Sequence, residues 1–174
     1  MNKFIIKSDG GARGNPGSGA YGFVIKPEEN SKFKFVIFNP SRLKGDAVAD
    51  QIQNSNVQIK DNIVYGSGYL GVTTNNQAEY HGILNALKYL LLHVTCYMLH
   101  DFQIECFLDS QLIVEQMNGR YKIKNEGLKP LYWEIRGLIM DLGGKVTFAH
   151  IPRAQNAEAD KLVNEAIDNS INIS

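Results

Sequence analysis

The sequence lacks the features that mark disulfide-stabilised, zinc-binding and membrane-spanning proteins. It has two cysteines, Cys96 and Cys106, which form no CxxC pair and each lie in an apolar run. We therefore expect two buried free thiols in a reducing compartment and no structural zinc site. The apolar runs at Phe4–Ile6 and Tyr89–Leu92 are too short for a signal-peptide core or a bilayer span. We expect a soluble, cytoplasmic protein with no membrane partner.

An excess of either charge is also absent, because 18 lysines and arginines balance 18 aspartates and glutamates. Nucleic-acid-binding domains are often basic, so this balance does not favour such a partner. A cluster of catalytic acids would lower the total, however, and bound cations would reverse its local sign. Net charge therefore excludes nothing. A chain of 174 residues has the size of one domain, and we predict a single domain over residues 1–174.

Alternating apolar residues predict strands in the first part of the chain. Three alternating segments predict an antiparallel meander: Lys3–Asp9, Ala20–Lys26 and Phe33–Phe38. Residues 39–61 are polar and interrupted by Pro40 and Gly45, so we interpret them as an insertion with a short helix near Asp46–Gln53. A third strand, or the continuation of the one at Phe33–Phe38, resumes at Ile63–Tyr69, so the two segments count as one predicted strand.

Helices alternate with strands in the rest of the chain. Apolar residues recur at helical spacing over Asn76–His93, and Thr74 and Gln77 have the spacing of a capping box at its start. Further patterns predict strands at Phe102–Leu108 and Lys145–Ile151, and helices at Ser110–Asn118, Lys129–Leu142 and Asn156–Ile167. Gly119 and Gly143 would end the first two of these helices, and Asn156 would cap the third. This order predicts an α/β fold whose mixed five-stranded sheet begins antiparallel and continues parallel.

Four acidic residues stand where strands end or helices begin. Asp9 and Asp109 end predicted strands, while Glu79 and Asp160 lie in the first turns of predicted helices. Strand ends and neighbouring helix starts form the usual ligand crevice of an α/β sheet, so these carboxylates could converge. Their repulsion would require cations, and hard oxygen ligands suit Mg²⁺ or Mn²⁺. Two such ions can hydrolyse a phosphodiester. A single acid at a strand end is nevertheless more often a cap or turn residue, so the surrounding motifs decide.

The segments around these acids resemble the four acidic motifs of type 1 ribonuclease H, in the family order. They are residues 8–17 (SDGGARGNPG), 73–80 (TTNNQAEY), 108–111 (LDSQ) and 150–160 (HIPRAQNAEAD). The resemblance covers nearly the whole chain apart from residues 39–61. It implies a ribonuclease H-like fold and an endonuclease that cleaves the RNA strand of RNA–DNA hybrids, leaving 5′-phosphate and 3′-hydroxyl ends. It also implies two Mg²⁺ ions, with Mn²⁺ as a substitute, and no small-molecule cofactor. We expect a monomer.

The resemblance also implies a role for each acid. Asp9 would bridge both metal ions, Asp160 would complete the site of the ion that activates water, and Glu79 and Asp109 would hold the other ion. Glu79 would also lie near the RNA 2′-hydroxyl, the group that distinguishes RNA from DNA. Further residues would contact the substrate. Gly10 and Gly11 would approach the RNA through their backbone groups, and Asn75, Asn76 and Gln77 would reach into the minor groove. Thr74 and Asn125 would bind a DNA phosphate, and Asn15 would also belong to the substrate-binding set.

Two residues compete for an assisting role beside the fourth motif. His150 fits the family's mobile histidine, but it also ends a strand and could be a half-buried structural residue. Arg153 is the alternative, since some family members manage with an arginine. The sequence leaves this choice open.

Two departures from the better-known bacterial pattern predict weak hybrid binding. Residues 119–125 link two helices without an inserted basic helix, leaving a modest basic patch with Tyr121 and Trp133 nearby: Arg120, Lys122, Lys124 and Lys129. Val72 stands where relatives often have an arginine. Few neutralised phosphates would give a shallow salt dependence.

Other functions were weighed against these motifs. The glycine patterns Gly17–Gly22 and Gly66–Gly71 match GxGxxG, but neither opens a helix directly after a strand, as a dinucleotide site requires. The remaining alternatives are another nuclease of the same fold, exonuclease or transposase-like, and a non-catalytic hybrid-binding domain.

Overall fold

The computed structural model describes residues 2–29, 31, 33–35, 56–94 and 102–171. Within these ranges the chain forms six strands: β1 (Asn2–Gly14), β2 (Gly17–Pro27), β3 (Asn56–Lys60), β4 (Ile63–Thr73), β5 (Phe102–Leu108) and β6 (Val146–His150). The same ranges contain four α-helices: α1 (Asn75–Val94), α2 (Gln111–Met117), α3 (Lys129–Asp141) and α4 (Ala157–Ile171). A short 3₁₀ helix, Arg153–Asn156, leads into α4.

The strands form one mixed sheet in the order β3-β4-β2-β1-β5-β6. Strands β1 to β4 pair antiparallel, while β1 with β5 and β5 with β6 pair parallel. The predicted α/β class and the change from antiparallel to parallel pairing are confirmed. The sheet has six strands in the described ranges rather than the predicted five, because β3 adds an edge strand.

Strand β3 lies in the stretch that the sequence led us to interpret as an insertion, so that interpretation is wrong for residues 56–60. Val57 and Ile59 pack against the core, while the alternate residues of this strand are exposed. This alternation is the pattern of an edge strand with one face covered. The polar residues of β3 are its solvent face.

The predicted strand Phe33–Phe38 is wrong for the part that can be compared. Residues 33–35 are described and lie in no strand. The backbone groups of Phe33 and Phe35 bond the side chain of Asn62 instead of another strand. Asn62 donates to the Phe33 carbonyl (2.9 Å) and accepts from the Phe35 N–H (2.7 Å). The rings of Phe33 and Phe35 pack on Phe4. Residues 36–38 and the predicted short helix at 46–53 lie outside the described residues.

Helix starts and ends agree closely with their sequence signals. The capping box at α1 is confirmed, since the Thr74 N–H donates to Gln77 Oε1 and the Gln77 N–H donates to Thr74 Oγ1. Gly119 and Gly143 follow α2 and α3 with φ of +74° and +76°. Such left-handed backbone costs glycine little, which is why it ends helices.

The sheet is covered on both faces. Alternation along β2 points Phe23 and Ile25 into the main core with α1, whereas Ala20 packs with Val163 of α4 on the opposite face. Cys106 is a buried free thiol in the main core, and its burial raises the pKa of the thiol. Cys96 lies outside the described residues.

No helix in the described ranges combines the length and the apolar character needed to cross a membrane.

Candidate active site

Strand pairing brings the first and third acidic motifs to the same edge of the sheet. Lys7 of β1 pairs in parallel with Phe107 of β5, and Asp9 and Asp109 each come two residues later. The N-terminal parts of α1 and α4 approach this edge from the two faces of the sheet, and they bring Glu79 and Asp160 to it. All four acidic side chains line one cleft of about 530 Å³. The predicted convergence of the four carboxylates in a common cleft is therefore what the structure shows.

Burial and mutual repulsion oppose the charge of the two deepest acids. Desolvation raises the pKa of Asp9 to about 7, with Asp109 and Asp160 adding to the shift and the Gly10 N–H opposing it. Desolvation likewise raises the pKa of Glu79 to about 8, although a hydrogen bond from Ser110 lowers it. A positive charge placed between these groups would restore their ionised forms.

The donor set fits a divalent cation. Carboxylate oxygens are hard ligands of the kind that Mg²⁺ and Mn²⁺ prefer. Glu79 Oε2 is buried and accepts no hydrogen bond from the described residues, so one ligand atom in the cleft is uncommitted. Among the described residues, no three acidic, histidine or cysteine side chains lie at the spacing of ligands to one ion.

Asp160 is held by two neighbours on its own side of the cleft. The Arg153 guanidinium donates a hydrogen bond to Asp160 Oδ1, and Asn164 Nδ2 donates to Asp160 Oδ2 at 3.2 Å. Arg153 lines the cleft, whereas His150 is absent from its lining. The His150 ring is exposed, with Nε2 3.2 Å from the Asp109 carbonyl oxygen. Of the two residues, Arg153 is therefore the one that lies beside the acids of the cleft.

The first residues of the predicted substrate set are built into the junction between β1 and α1. Gly10, Gly11 and Asn75 line the cleft. Asn75 Oδ1 accepts from the Ala12 N–H at 2.8 Å, and Asn15 Oδ1 accepts from the Asn75 N–H at 3.2 Å. The side-chain oxygens of both asparagines are therefore used inside the protein, which leaves their amide N–H groups as the part that can meet a substrate.

The remaining predicted substrate residues lie outside the acidic cleft. Thr74 and Gln77 bond each other in the capping box. Asn76 and Asn125 line a second cleft of about 570 Å³. Asn75 and Asn76 are neighbours in one motif, but the fold places Asn75 in the acidic cleft and Asn76 in the second cleft.

Three of the four residues of the predicted basic patch line the second cleft: Arg120, Lys122 and Lys124. Arg120 forms a two-bonded ion pair with Glu115, and Lys129 pairs with Glu126 at 2.6 Å. Of the four basic residues of the predicted patch, only two have no ion-pair partner in the described ranges, namely Lys122 and Lys124. Tyr121 and Trp133 are exposed beside them. The free positive charge of this surface is small.

Comparison with known proteins decides the family. A sequence profile of the family described as "Reverse transcriptase-like" matches residues 7–166. The structure of LC11-RNase H1, an enzyme isolated from compost, was solved in complex with an RNA/DNA hybrid. It is 36% identical to this chain with a TM-score of 0.73, and the match covers 97% of this chain and 99% of that one. The chain belongs to the type 1 ribonuclease H family.

Two curated relatives extend this family assignment. The bifunctional protein Rv2228c of Mycobacterium tuberculosis is 31% identical over 166 residues, which are 95% of this chain and 36% of that protein. Ribonuclease HI of Halobacterium salinarum is 30% identical over 165 residues, which are 93% of this chain and 63% of that protein. The chain therefore spans about a third of the first relative and less than two-thirds of the second. The predicted family and fold are confirmed.

Sequence reasoning missed the main contact of Asn156. We predicted a helix cap, but Asn156 lies inside the 3₁₀ helix and is fully buried. Its Oδ1 accepts no hydrogen bond from the described residues, so it does not cap α4. Its Nδ2 donates instead to the Ser8 carbonyl at 2.9 Å and to Asp109 Oδ1 at 3.0 Å. These partners lie 148 and 47 residues away, so no local pattern could have indicated them.

Proposed function

We propose that this chain hydrolyses the RNA strand of RNA–DNA hybrids, using divalent cations held by its four acidic residues and leaving 5′-phosphate and 3′-hydroxyl ends. The observation that carries the proposal is the convergence of Asp9, Glu79, Asp109 and Asp160 in one cleft. A family member of full-length similarity has been solved with an RNA/DNA hybrid, which supports the hybrid as substrate.

The four acids would divide the metal-binding work. Both Asp109 and Asp160 raise the pKa of Asp9 by charge repulsion, and the family resemblance implies that Asp9 would be shared between the two cations. Asp160 would serve one cation, and Glu79 and Asp109 the other. When bound, a pair of Mg²⁺ or Mn²⁺ ions supplies an activated water and neutralises charge at the leaving oxygen.

Arg153 supports the chemistry from the side of Asp160. Its guanidinium fixes one oxygen of that carboxylate and places a permanent positive charge at the mouth of the cleft. A phosphodiester gains negative charge as it is attacked, and a preplaced cationic donor stabilises that charge. Arg153 therefore both orients Asp160 and favours the approach of the scissile phosphate.

Substrate selection follows from donors and acceptors at the start of α1. Because the oxygens of Asn15 and Asn75 accept backbone N–H groups, their amide N–H groups remain to donate. The minor groove presents mainly acceptors on its base edges, which such donors match without reading sequence closely. Glu79 would accept a hydrogen bond from an RNA 2′-hydroxyl, a donor that DNA lacks.

The second cleft would hold the backbone of the DNA strand. Lys122 and Lys124 supply positive charge there, and Asn76 and Asn125 supply amide groups for phosphate oxygens. The exposed rings of Tyr121 and Trp133 can stack on sugars or bases beside them. Separate clefts for the two strands would place the RNA strand at the acids.

A cleavage assay tests the proposal. Labelled RNA–DNA hybrid, double-stranded RNA and duplex DNA of one sequence are each incubated with Mg²⁺, Mn²⁺ or EDTA. We expect cleavage of the RNA strand of the hybrid alone, at internal positions and only with a divalent cation, with 5′-phosphate ends detected by a phosphate-dependent exonuclease. Equal cleavage of duplex DNA would indicate another nuclease of this fold. Hybrid binding without cleavage under every metal condition would indicate a binding domain.

A further inference from the structure

Beyond the four acids, a buried amide links the segments that carry three of them. Asn156 Nδ2 donates to the backbone carbonyl of Ser8, the residue before Asp9, and to the carboxylate of Asp109. Asn156 also stands one helical turn before Asp160. We propose that Asn156 is a positioning residue that sets the Asp109 carboxylate relative to Asp9 and Asp160.

The chemistry of the two contacts leaves one assignment of the amide. Both partners, a carbonyl and a carboxylate, accept hydrogen bonds, so only the NH₂ end of Asn156 can serve them. The two N–H groups of one planar amide are held in a fixed relation, so the Ser8 carbonyl and Asp109 Oδ1 are tied to a common rigid group. The residue has no exposed surface, and water does not compete for these bonds.

The turn that carries Asn156 is itself anchored to both strands. The Ile151 N–H donates to the Leu108 carbonyl at 2.8 Å, and Lys7 Nζ donates to the Gln155 carbonyl at 2.7 Å. These bonds hold the turn against the ends of β5 and β1. Asn156 is thus mounted on a fixed support, which a residue needs if it is to orient another group.

Residue size and charge explain why asparagine stands at this position. Aspartate has nearly the same shape, but its oxygens would face the Ser8 carbonyl and add a negative charge beside Asp109. Alanine would leave a buried carbonyl and one carboxylate oxygen without their donor. In either variant Asp109 loses a fixed orientation, while the four acids themselves remain present.

The inference depends on the proposed function, because it concerns the placement of a metal-binding carboxylate. Groups that orient metal ligands typically account for about 10–100-fold in metal affinity or activity. We therefore expect Asn156→Ala to raise the Mg²⁺ concentration for half-maximal cleavage and to lower kcat, each by about tenfold or more, while KM for the hybrid stays within about twofold. Asn156→Asp should be at least as impaired, because it adds a like charge.

Asn118→Ala is the matched control. Asn118 Nδ2 also donates across elements to a strand carbonyl, that of Phe148, at 3.1 Å, but it contacts none of the acids. Binding of Mn²⁺ alone, followed by electron paramagnetic resonance without substrate, gives a readout independent of turnover. We expect weaker Mn²⁺ binding by Asn156→Ala than by wild type, and unchanged binding by Asn118→Ala.

The outcomes separate this inference from the proposed function. A wild-type protein that neither binds Mn²⁺ nor cleaves hybrid overturns both. A wild type that does both, with Asn156→Ala equal to Asn118→Ala in Mn²⁺ binding and kcat, overturns the positioning role alone.

A measurement on the wild type covers the case in which both Asn156 variants fail to fold. The side-chain NH₂ resonances of Asn156 and Asn118 are followed by nuclear magnetic resonance during Mg²⁺ addition. A shift at Asn156 that exceeds the shift at Asn118 supports the contact to a metal-binding carboxylate. Equal behaviour of the two amides contradicts it.

Discussion

At the scale of single residues, burial in the cleft makes the ionised forms of Asp9 and Glu79 unfavourable. Their pKa values are raised to about 7 and about 8 from ordinary values of 3.8 and 4.5. Between the ordinary and raised values the folded chain binds more protons than the unfolded chain, so the free energy of unfolding falls as pH rises. The cost is absent below about pH 4 and complete above about pH 8.

This cost predicts a pH-dependent melting temperature. In EDTA, the wild type should melt at progressively lower temperature from pH 5 to pH 8. Asp9→Asn removes part of the cost and should melt a few degrees higher than wild type at pH 8, by about 3 °C, with a smaller difference at pH 5. The same variant should lose at least about 10²-fold in hybrid cleavage. Calorimetry at both pH values checks the first expectation, and an Asp9→Asn protein that melts below wild type at pH 8 would contradict it.

Arg153 and His150 make a second residue-scale prediction. Arg153 bonds a cleft carboxylate, whereas His150 bonds the backbone carbonyl of Asp109 and does not line the cleft. Loss of one well-placed electrostatic donor costs hydrolases about 10²–10³-fold, so we expect Arg153→Ala to lower kcat by at least about tenfold. The kcat of His150→Ala should stay within about threefold of the wild-type value, because we expect the His150 ring to take no part in proton transfer. Single-turnover rates on the same hybrid decide between them, and the reverse ranking would restore the histidine as the assisting group.

At the scale of elements, the relative placement of β1 and α1 depends on one missing side chain. A Cβ on Gly10 would lie 2.1 Å from the Ala78 carbonyl carbon and 2.2 Å from the Glu79 nitrogen. The backbones therefore touch where Asp9 and Glu79 emerge, and this contact brings the two carboxylates into one cleft. From the sequence, glycine at position 10 is explained by the close approach of its backbone to RNA. The structure gives a packing reason for the same residue, and the contact of Gly10 with RNA stays a prediction.

Gly10→Ala should separate these two elements. Backbone atoms at about 2 Å cannot yield locally, so we expect a loss of roughly 2–4 kcal/mol in the free energy of unfolding, together with loss of cleavage. Gly137→Ala is the control, because a Cβ there meets nothing within 4 Å on an exposed face of α3. It should stabilise the protein by about 0.5–1 kcal/mol through helix propensity and leave cleavage intact. Urea unfolding of both variants measures the difference, and equal stabilities would refute the close-contact explanation.

Local chemistry explains which elements the sequence predicted well. The ends of α2 and α3 follow from Gly119 and Gly143, and the start of α1 follows from the Thr74–Gln77 capping box. Each of these signals involves residues within a few positions of one another. Alternation located the strands that carry Asp9 and Asp109, but the four acids were named from the motifs around them. The predicted strand end at Asp9 is wrong, because β1 continues to Gly14 through its pairing with β2.

Partners distant in the chain explain what the sequence could not supply. The apolar alternation at Phe33 and Phe35 is real, since both rings enter the core, but Asn62 takes the backbone bonds that a strand would need. The edge strand β3 was missed because its solvent-facing residues are polar and continue the polar stretch before it. Asn156 had the sequence position of a cap and the tertiary contacts of a residue that orients an acid.

At the scale of the whole molecule, many of the balanced charges are also paired locally in the described ranges. Several cations that could have formed a basic surface are held by nearby acids: Lys3 by Glu105, Arg13 by Asp168, Lys26 by Glu158, Arg120 by Glu115 and Lys129 by Glu126. Exposed pairs of this kind add little stability, but they lower the charge left to attract a polyanion. Val72 is 79% exposed, and its apolar side chain adds no positive charge to the surface.

The charge distribution predicts shallow salt dependence of hybrid binding. Within the described part of the chain, Lys122 and Lys124 are the cations of the second cleft that have no ion-pair partner. A protein neutralising about two to four phosphates has a slope of log affinity against log salt of about −2 to −4. Fluorescence anisotropy of the Asp9→Asn protein with labelled hybrid, between about 50 and 200 mM salt, measures it. Replacing both lysines by alanine should reduce the slope by about 2, because each removes one released counterion. Lys60→Ala, on the edge strand β3, should leave it unchanged. A slope steeper than about −6 for the Asp9→Asn protein with both lysines intact would require phosphate contacts well beyond these two lysines. The second cleft would then be too small a binding surface for the DNA strand.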